Sequence, residues 1–208
     1  MHDNITSYNR RIGEQRQNKV WRTARGDKNV IIGVTGGSGS GKSSFASLLG
    51  YELIDADNVY HTLLSENDML KKELTDLFGS YERKDIASIV FTDDAKLEKL
   101  NIITFKYTVA AIVDKIPSNG NAVIDAPLLF ESGLDKTCDV TIAVLAKKTL
   151  RIQRIMARDA ISREQAETRI NAQKPDAFYI KNADYIIHNN GDDMINAAYE
   201  LKEKLVLK

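Results

Sequence analysis

The chain has 208 residues, 43% of them hydrophobic, enough for one sizeable core and a smaller subdomain. Its 29 basic and 29 acidic residues balance, so no overall field selects nucleic acid or a membrane surface, and neither is expected as a partner. A single cysteine, Cys138, excludes an internal disulfide and is read as a small packed residue; with no apolar run near roughly eighteen residues and no signal-like segment, a cytoplasmic location is expected.

Residues 1–29 hold seven basic side chains, Arg10, Arg11, Arg16, Lys19, Arg22, Arg25 and Lys28, against Asp3, Glu14 and Asp27. This polar, basic stretch is expected to be a mobile extension in front of a domain spanning residues 30–208. From Asn29 the pattern becomes α/β. "NVIIGV" reads as a buried strand, a glycine-rich loop follows, and "KSSFASLL" reads as a helix. "YELID", "AVIDA", "VTIAVLA" and "DYIIH" are four further strands, separated by helical stretches. Alternating strands and helices predict a parallel sheet covered on both faces. Between the second and third strands, residues 58–117 form a long helical block. "NDMLKKELTDLFG" and "DAKLEKLNIITFKYTVAAIVDKI" there carry apolar residues at three- and four-residue spacings. The block is too long for a crossover and reads as an inserted subdomain that holds a substrate. Residues 148–176 make two charged helices, the second opened by a Ser162–Gln165 capping box.

The chemistry starts in "GVTGGSGSGKSSF". Gly36-x-x-x-x-Gly41-Lys42-Ser43 is the full phosphate-binding loop pattern, with the required strand before it and helix after it. Glycines let backbone N–H groups face phosphate oxygens, the following helix adds the positive end of its dipole, Lys42 reaches the β- and γ-phosphates, and the Ser43 hydroxyl is placed for Mg²⁺. Gly36, Gly37, Ser38, Gly39, Ser40, Gly41, Lys42, Ser43 and Ser44 are thus the candidate nucleotide contacts.

Carboxylates gather at the strand ends. "LIDAD" places Asp55 and Asp57 two residues apart, which on a strand aims both at one cleft; "AVIDAP" ends in Asp125. Such groups either hold Mg²⁺ or take a proton from an attacking hydroxyl, and Asp55 and Asp125 are the candidate metal ligands. A lone Asp at a strand end is also a common helix cap. Farther on, Arg151, Arg154 and Arg158 fall on one helix face, with Arg163 and Arg169 on the partner helix. Two basic helices in this position read as a lid that brings arginines to a transferring phosphoryl group; the ordinary alternative is a solvated face paired with Glu164 and Glu167. His61, just after the acid pair, is a candidate acceptor contact, against the plain reading of a packed or solvated helix residue.

Together "IGVTGGSGSGKSSFASLL", "LIDADNVYH", "ERKDIASIVF", "AVIDAPLLFESGLD", "RIQRIMARDAISREQAETRINAQ" and "ADYIIHNNG" resemble the dephospho-coenzyme A kinase family, in the right order across residues 31–191. The resemblance implies a P-loop kinase core with an acceptor-binding helical subdomain and a lid. It implies transfer of the γ-phosphate of ATP, with Mg²⁺, to the 3′-hydroxyl of dephospho-coenzyme A. It also implies Asp57 as the base for that hydroxyl, Arg154 and Arg158 as lid arginines beside Lys42, and Asn189 near the adenine. Asp57, His61, Lys106 and Asp125 are then the acceptor-side residues. The chain departs from the family pattern where Phe105 and Lys106 replace a common His-Pro pair, where only "SYE" links Gly79 to Arg83, and where Tyr60-His61 stand in place of an Arg. These departures leave room for a different small acceptor (nucleoside, nucleotide or metabolite) or for a weakly catalytic nucleotide-binding relative. Oligomeric state is left open.

Overall fold

The structure, a computed structural model, describes residues 30–91, 93–191 and 194–206. The basic stretch 1–29 lies outside the described residues. Five strands form one sheet: β1 (Ile31–Thr35), β2 (Glu52–Asp55), β3 (Ala122–Asp125), β4 (Val140–Leu145) and β5 (Tyr185–His188). Their order is β2-β3-β1-β4-β5 and every pairing is parallel.

The sheet is buried on both faces, as apolar runs without polar alternation require. Ile32, Val34, Val123, Val140, Ile142, Val144 and Ile187 point to one face. There they meet Phe45 and Ala46 of α1 (Lys42–Leu48) and Ala198 and Leu201 of the C-terminal helix α9 (Met194–Val206). On the other face Ile54, Ala122 and Ile124 pack on Ala56 and Val59 of α2 (Ala56–Glu66) and Ile112 of α5 (Asp94–Lys115). Farther along that face Ala143, Leu145 and Ile186 pack on Tyr179 of α8 (Asp176–Asn182). Each large side chain buried this way contributes about 1.5–3 kcal/mol, so the sheet is a rigid platform for the loops at its edge. Gly33 is part of that packing: a Cβ there would stand 2.7 Å from Cys138 Sγ and 2.9 Å from Leu129.

The described residues between β2 and β3 include four helices: α2, α3 (Asp68–Phe78), α4 (Arg83–Val90) and α5. They share a small core of their own, Leu70, Leu74 and Ile86 with Tyr60, Leu64, Phe78, Leu100 and Ile103 around them. After β4 come α6 (Lys148–Asp159) and α7 (Arg163–Asn171), joined through Ile152, Ile155, Ala166 and Ile170. The Ser162–Gln165 capping box at the start of α7 is formed in both directions. Among the described residues no helix is long and apolar enough to cross a membrane.

Candidate active site

The glycine loop leaves the C-terminal end of β1, the central strand, and feeds directly into α1. Its turn is closed by the Ser40 N–H donating to the Gly37 carbonyl at 3.1 Å. Gly41 occupies the N-cap position of α1 at φ +92°, in the left-handed region where a side chain is strained. Among the described residues no side chain caps this helix start. A cavity of about 620 Å³ opens over the loop. The loop from Gly36 to Ser44, except Ser40, forms its floor, and Asp57, Pro127, Arg154, Arg158 and Gln173 form its walls. Ser40 is turned inward, 1% exposed; its N–H and carbonyl are engaged by neighbours, and its buried hydroxyl meets no hydrogen-bond partner among the described residues.

The three carboxylates divide into different situations. The strand reading of "LIDAD" is corrected: β2 ends at Asp55 and α2 starts at Ala56, so Asp55 and Asp57 do not project from one strand. The cause is Asp55 itself, whose Oδ1 accepts the Asn58 N–H at 3.0 Å and so caps α2. Asp57 sits in the first turn of α2 and still reaches the cavity wall. Its partial removal from water raises its carboxyl above the ordinary value, against the field of Lys42, which lowers it; Asp55 and Asp125 add to the rise and Arg83 opposes it. Asp125 is 2% exposed, with Oδ1 3.0 Å from Lys42 Nζ but outside hydrogen-bond alignment. Lys42 Nζ also lies 3.3 Å from Ser43 Oγ.

Among the described residues no group of three or more His, Cys, Asp and Glu comes together for a metal. The oxygens available are the Ser43 hydroxyl on the cavity floor and the buried Asp125 carboxylate, whose Oδ1 has no hydrogen-bond partner. That hard, sparse oxygen set suits Mg²⁺, which keeps its waters and binds one or two protein oxygens together with substrate phosphates.

The arginine face is split by burial. Arg154 and Arg158 line the cavity. Arg154 donates to the carbonyls of Gly39 (3.2 Å) and Asn189 (3.2 Å), and Arg158 is held by Asp159 at 2.7 and 2.9 Å. Asp159 also takes Arg169, and the pair of arginines pulls its carboxyl down to about 2. Arg151 turns inward: 6% exposed, it donates from Nε to the Ser38 carbonyl at 2.9 Å and from Nη2 to Gln173 Oε1 at 2.7 Å. It braces the loop and does not face the cavity. Arg163 pairs with Glu167 at 2.8 Å on the outside of α7, as the solvated-face reading had it.

Asn189 is 5% exposed beneath the loop, donating from Nδ2 to the Ser40 carbonyl at 2.8 Å. On the helical block, His61 is exposed and contacts the Arg83 guanidinium, which lies over the Tyr60 ring at 6.0 Å. Lys106 is paired with Glu73 at 2.9 Å, which also accepts from the Tyr107 hydroxyl at 2.7 Å; none of the three is in the cavity wall. Three participants carry no periodic or spacing signal in the sequence: Pro127, Gln173 and Arg83. Gln173 and Arg83 come from connections or helix starts that only the fold brings to this side.

The profile of the dephospho-CoA kinase family matches residues 30–194. The chain belongs to that family. It is 37% identical over 176 residues to a dephospho-CoA kinase of Fusobacterium nucleatum, a match covering 78% of this chain and 91% of that relative. Among solved structures it resembles TT1252 from Thermus thermophilus, with a TM-score of 0.73, 30% identity, and coverage of 85% of this chain and 98% of that one. It also resembles a dephospho-CoA kinase from Campylobacter jejuni, with a TM-score of 0.59, 28% identity, and coverage of 85% and 97%. The family match takes in the loop, Asp57, Arg154, Arg158 and Gln173, the whole wall of the cavity.

Proposed function

We propose that the chain transfers the γ-phosphate of ATP to the 3′-hydroxyl of dephospho-coenzyme A, releasing ADP and coenzyme A. The observation that carries this is a dephospho-CoA kinase match running through every element of one cavity, from the glycine loop to the arginines of α6. The loop amides and Lys42 hold the phosphate chain, and the rigid sheet edge keeps them aligned before substrate arrives. Ser43 and Asp125 would hold Mg²⁺, which would supply positive charge to offset that of the phosphate chain.

Asp57 faces the acceptor. Its raised carboxyl favours proton acceptance more than an ordinary surface aspartate would, so it orients the 3′-hydroxyl and receives its proton. Arg154 and Arg158 line the same cavity and serve the phosphoryl oxygens, over which negative charge spreads during transfer. The α2–α5 block, residues 58–117, serves as the acceptor-binding subdomain, with His61 and Arg83 as its polar contacts; α6 and α7, within residues 148–176, serve as the lid. Lys106, tied to Glu73 in this structure, is the weakest of the acceptor-side candidates.

The test is ADP release by purified protein with Mg-ATP, with and without dephospho-coenzyme A, and mass spectrometry of the acceptor. ADP formed only with acceptor, and a product heavier by one phosphate at the ribose, support the proposal. ATP binding without acceptor-dependent ADP would overturn the acceptor assignment and direct the same assay to nucleosides, nucleotides and other hydroxyl metabolites.

A further inference from the structure

Gln173 lies in the connection after α7, and two donors hold its side chain. The Ser38 backbone N–H donates to Oε1 at 3.0 Å, and Arg151 Nη2 donates to the same oxygen at 2.7 Å. A peptide N–H and a guanidinium have no acceptor to offer, so the amide cannot be turned end for end without setting N–H against N–H. The oxygen is therefore fixed toward the loop and Arg151, and the NH₂ group is fixed at the other end. Among the described residues that NH₂ meets no acceptor, and Gln173 is part of the cavity wall beside Gly37, Ser38 and Gly39.

There is also an exchange of donors at this point. Ser38 belongs to the loop whose amides face phosphate, yet its N–H is spent on Gln173. Gln173 lines the same wall, and its two N–H bonds are the part of its amide left for a ligand there. Around them are loop amides and the guanidinium groups of Arg154 and Arg158, donor groups suited to an anion.

We infer that Gln173 is a nucleotide-binding residue, donating from Nε2 to the phosphate chain of ATP while its oxygen holds the loop. This rests on reading the cavity as the ATP site. It also ties the base of α7 to an occupied loop, because one amide touches both.

Gln173→Glu is the informative variant. Glutamate keeps an oxygen for Ser38 N–H and Arg151 but replaces the NH₂ donor with an acceptor that repels phosphate. Titration with Mg-ATP is expected to show affinity reduced about tenfold or more, the loss for one hydrogen bond to a charged group. The thermal midpoint without ligand should stay within about 2 °C of the unsubstituted protein. Affinity within about twofold of the unsubstituted protein, well under one such bond, would overturn the inference. In parallel, the side-chain NH₂ signals of Gln173, assigned by their loss in the variant, are followed by ¹⁵N–¹H NMR as ATP is added. They should shift on saturation; an unshifted pair overturns the inference even if the variant is destabilised. Failure of the unsubstituted protein to bind ATP would overturn the ATP-site reading itself, a different result from binding that ignores Gln173.

Discussion

Arg151→Met isolates the brace beneath the glycine loop. Methionine retains most of the unbranched stem, so packing against the loop is largely kept and the fork of donors is removed. The lost interactions are the bonds to the Ser38 carbonyl (2.9 Å) and to Gln173 Oε1 (2.7 Å). Each is a hydrogen bond with one charged partner, worth about 1.5 kcal/mol net at the low end, so together about 3 kcal/mol. The contact with Asp176 at 3.7 Å, whose side chain is 50% exposed, adds less than about 1 kcal/mol. At about 2–4 °C per kcal/mol for a chain of this size, the midpoint should fall by roughly 6–12 °C. Calorimetry without ligand measures it, and ATP titration should show weaker binding because Ser38 loses one of its two side-chain anchors. Arg151→Lys should recover little, since a point charge cannot make both bonds in the fork geometry. A midpoint within about 2 °C of the unsubstituted protein for Arg151→Met would refute the argument, and would mean that the desolvation of this guanidinium cancels its bonds.

Gly37→Ala should destabilise the protein, because the new Cβ would lie 2.2 Å from Arg151 Nη2; the penalty should shrink in an Arg151→Ala background, a coupling that a double-mutant cycle reads directly. Asp57→Asn should leave ATP affinity nearly unchanged and sharply reduce turnover in the ADP-release assay. The same substitution carries a stability signature. Because the folded-state pKa of Asp57 is raised above its unfolded value, the folded protein holds that proton more tightly, and stability falls as pH rises through the two values; thermal unfolding should show Asp57→Asn gaining on the unsubstituted protein above that range and not below it. Asp159→Asn should lose the anchor shared by Arg158 and Arg169. The carboxyl drops from 3.8 to about 2 on folding, so its contribution is present above the higher value and lost as pH falls toward the lower one; unfolding curves of the two proteins should converge below about pH 2.

Much of this molecule is legible residue by residue in the chain. The five strands, the glycine loop, α1, the charged pair α6 and α7 and the capping box of Ser162 all follow from local periodicity and local hydrogen-bonding chemistry, because a strand pattern or a cap is complete within a few residues. The loop pattern is a strong case, since its spacing, its Lys-Ser pair and its flanking elements are all contiguous in sequence. The short helices α4 and α8 are not distinguished by such patterns, each offering only seven or eight residues.

What the chain alone determined was therefore the presence of a phosphate loop on a parallel sheet, and the set of acids and arginines available to it. What tertiary structure decided was which of them face the cavity. Asp55 became a cap because the strand stops at it, and Asp57 reached the wall from a helix. Arg151 turned to the loop while Arg154 and Arg158, three and seven residues on, stayed at the cavity. Ser38 and Gln173 are 135 positions apart, yet share one hydrogen bond. The physical reason is that a side chain's role is set by the partners that satisfy it once it is removed from water. Those partners arrive from distant segments only after the sheet has been assembled.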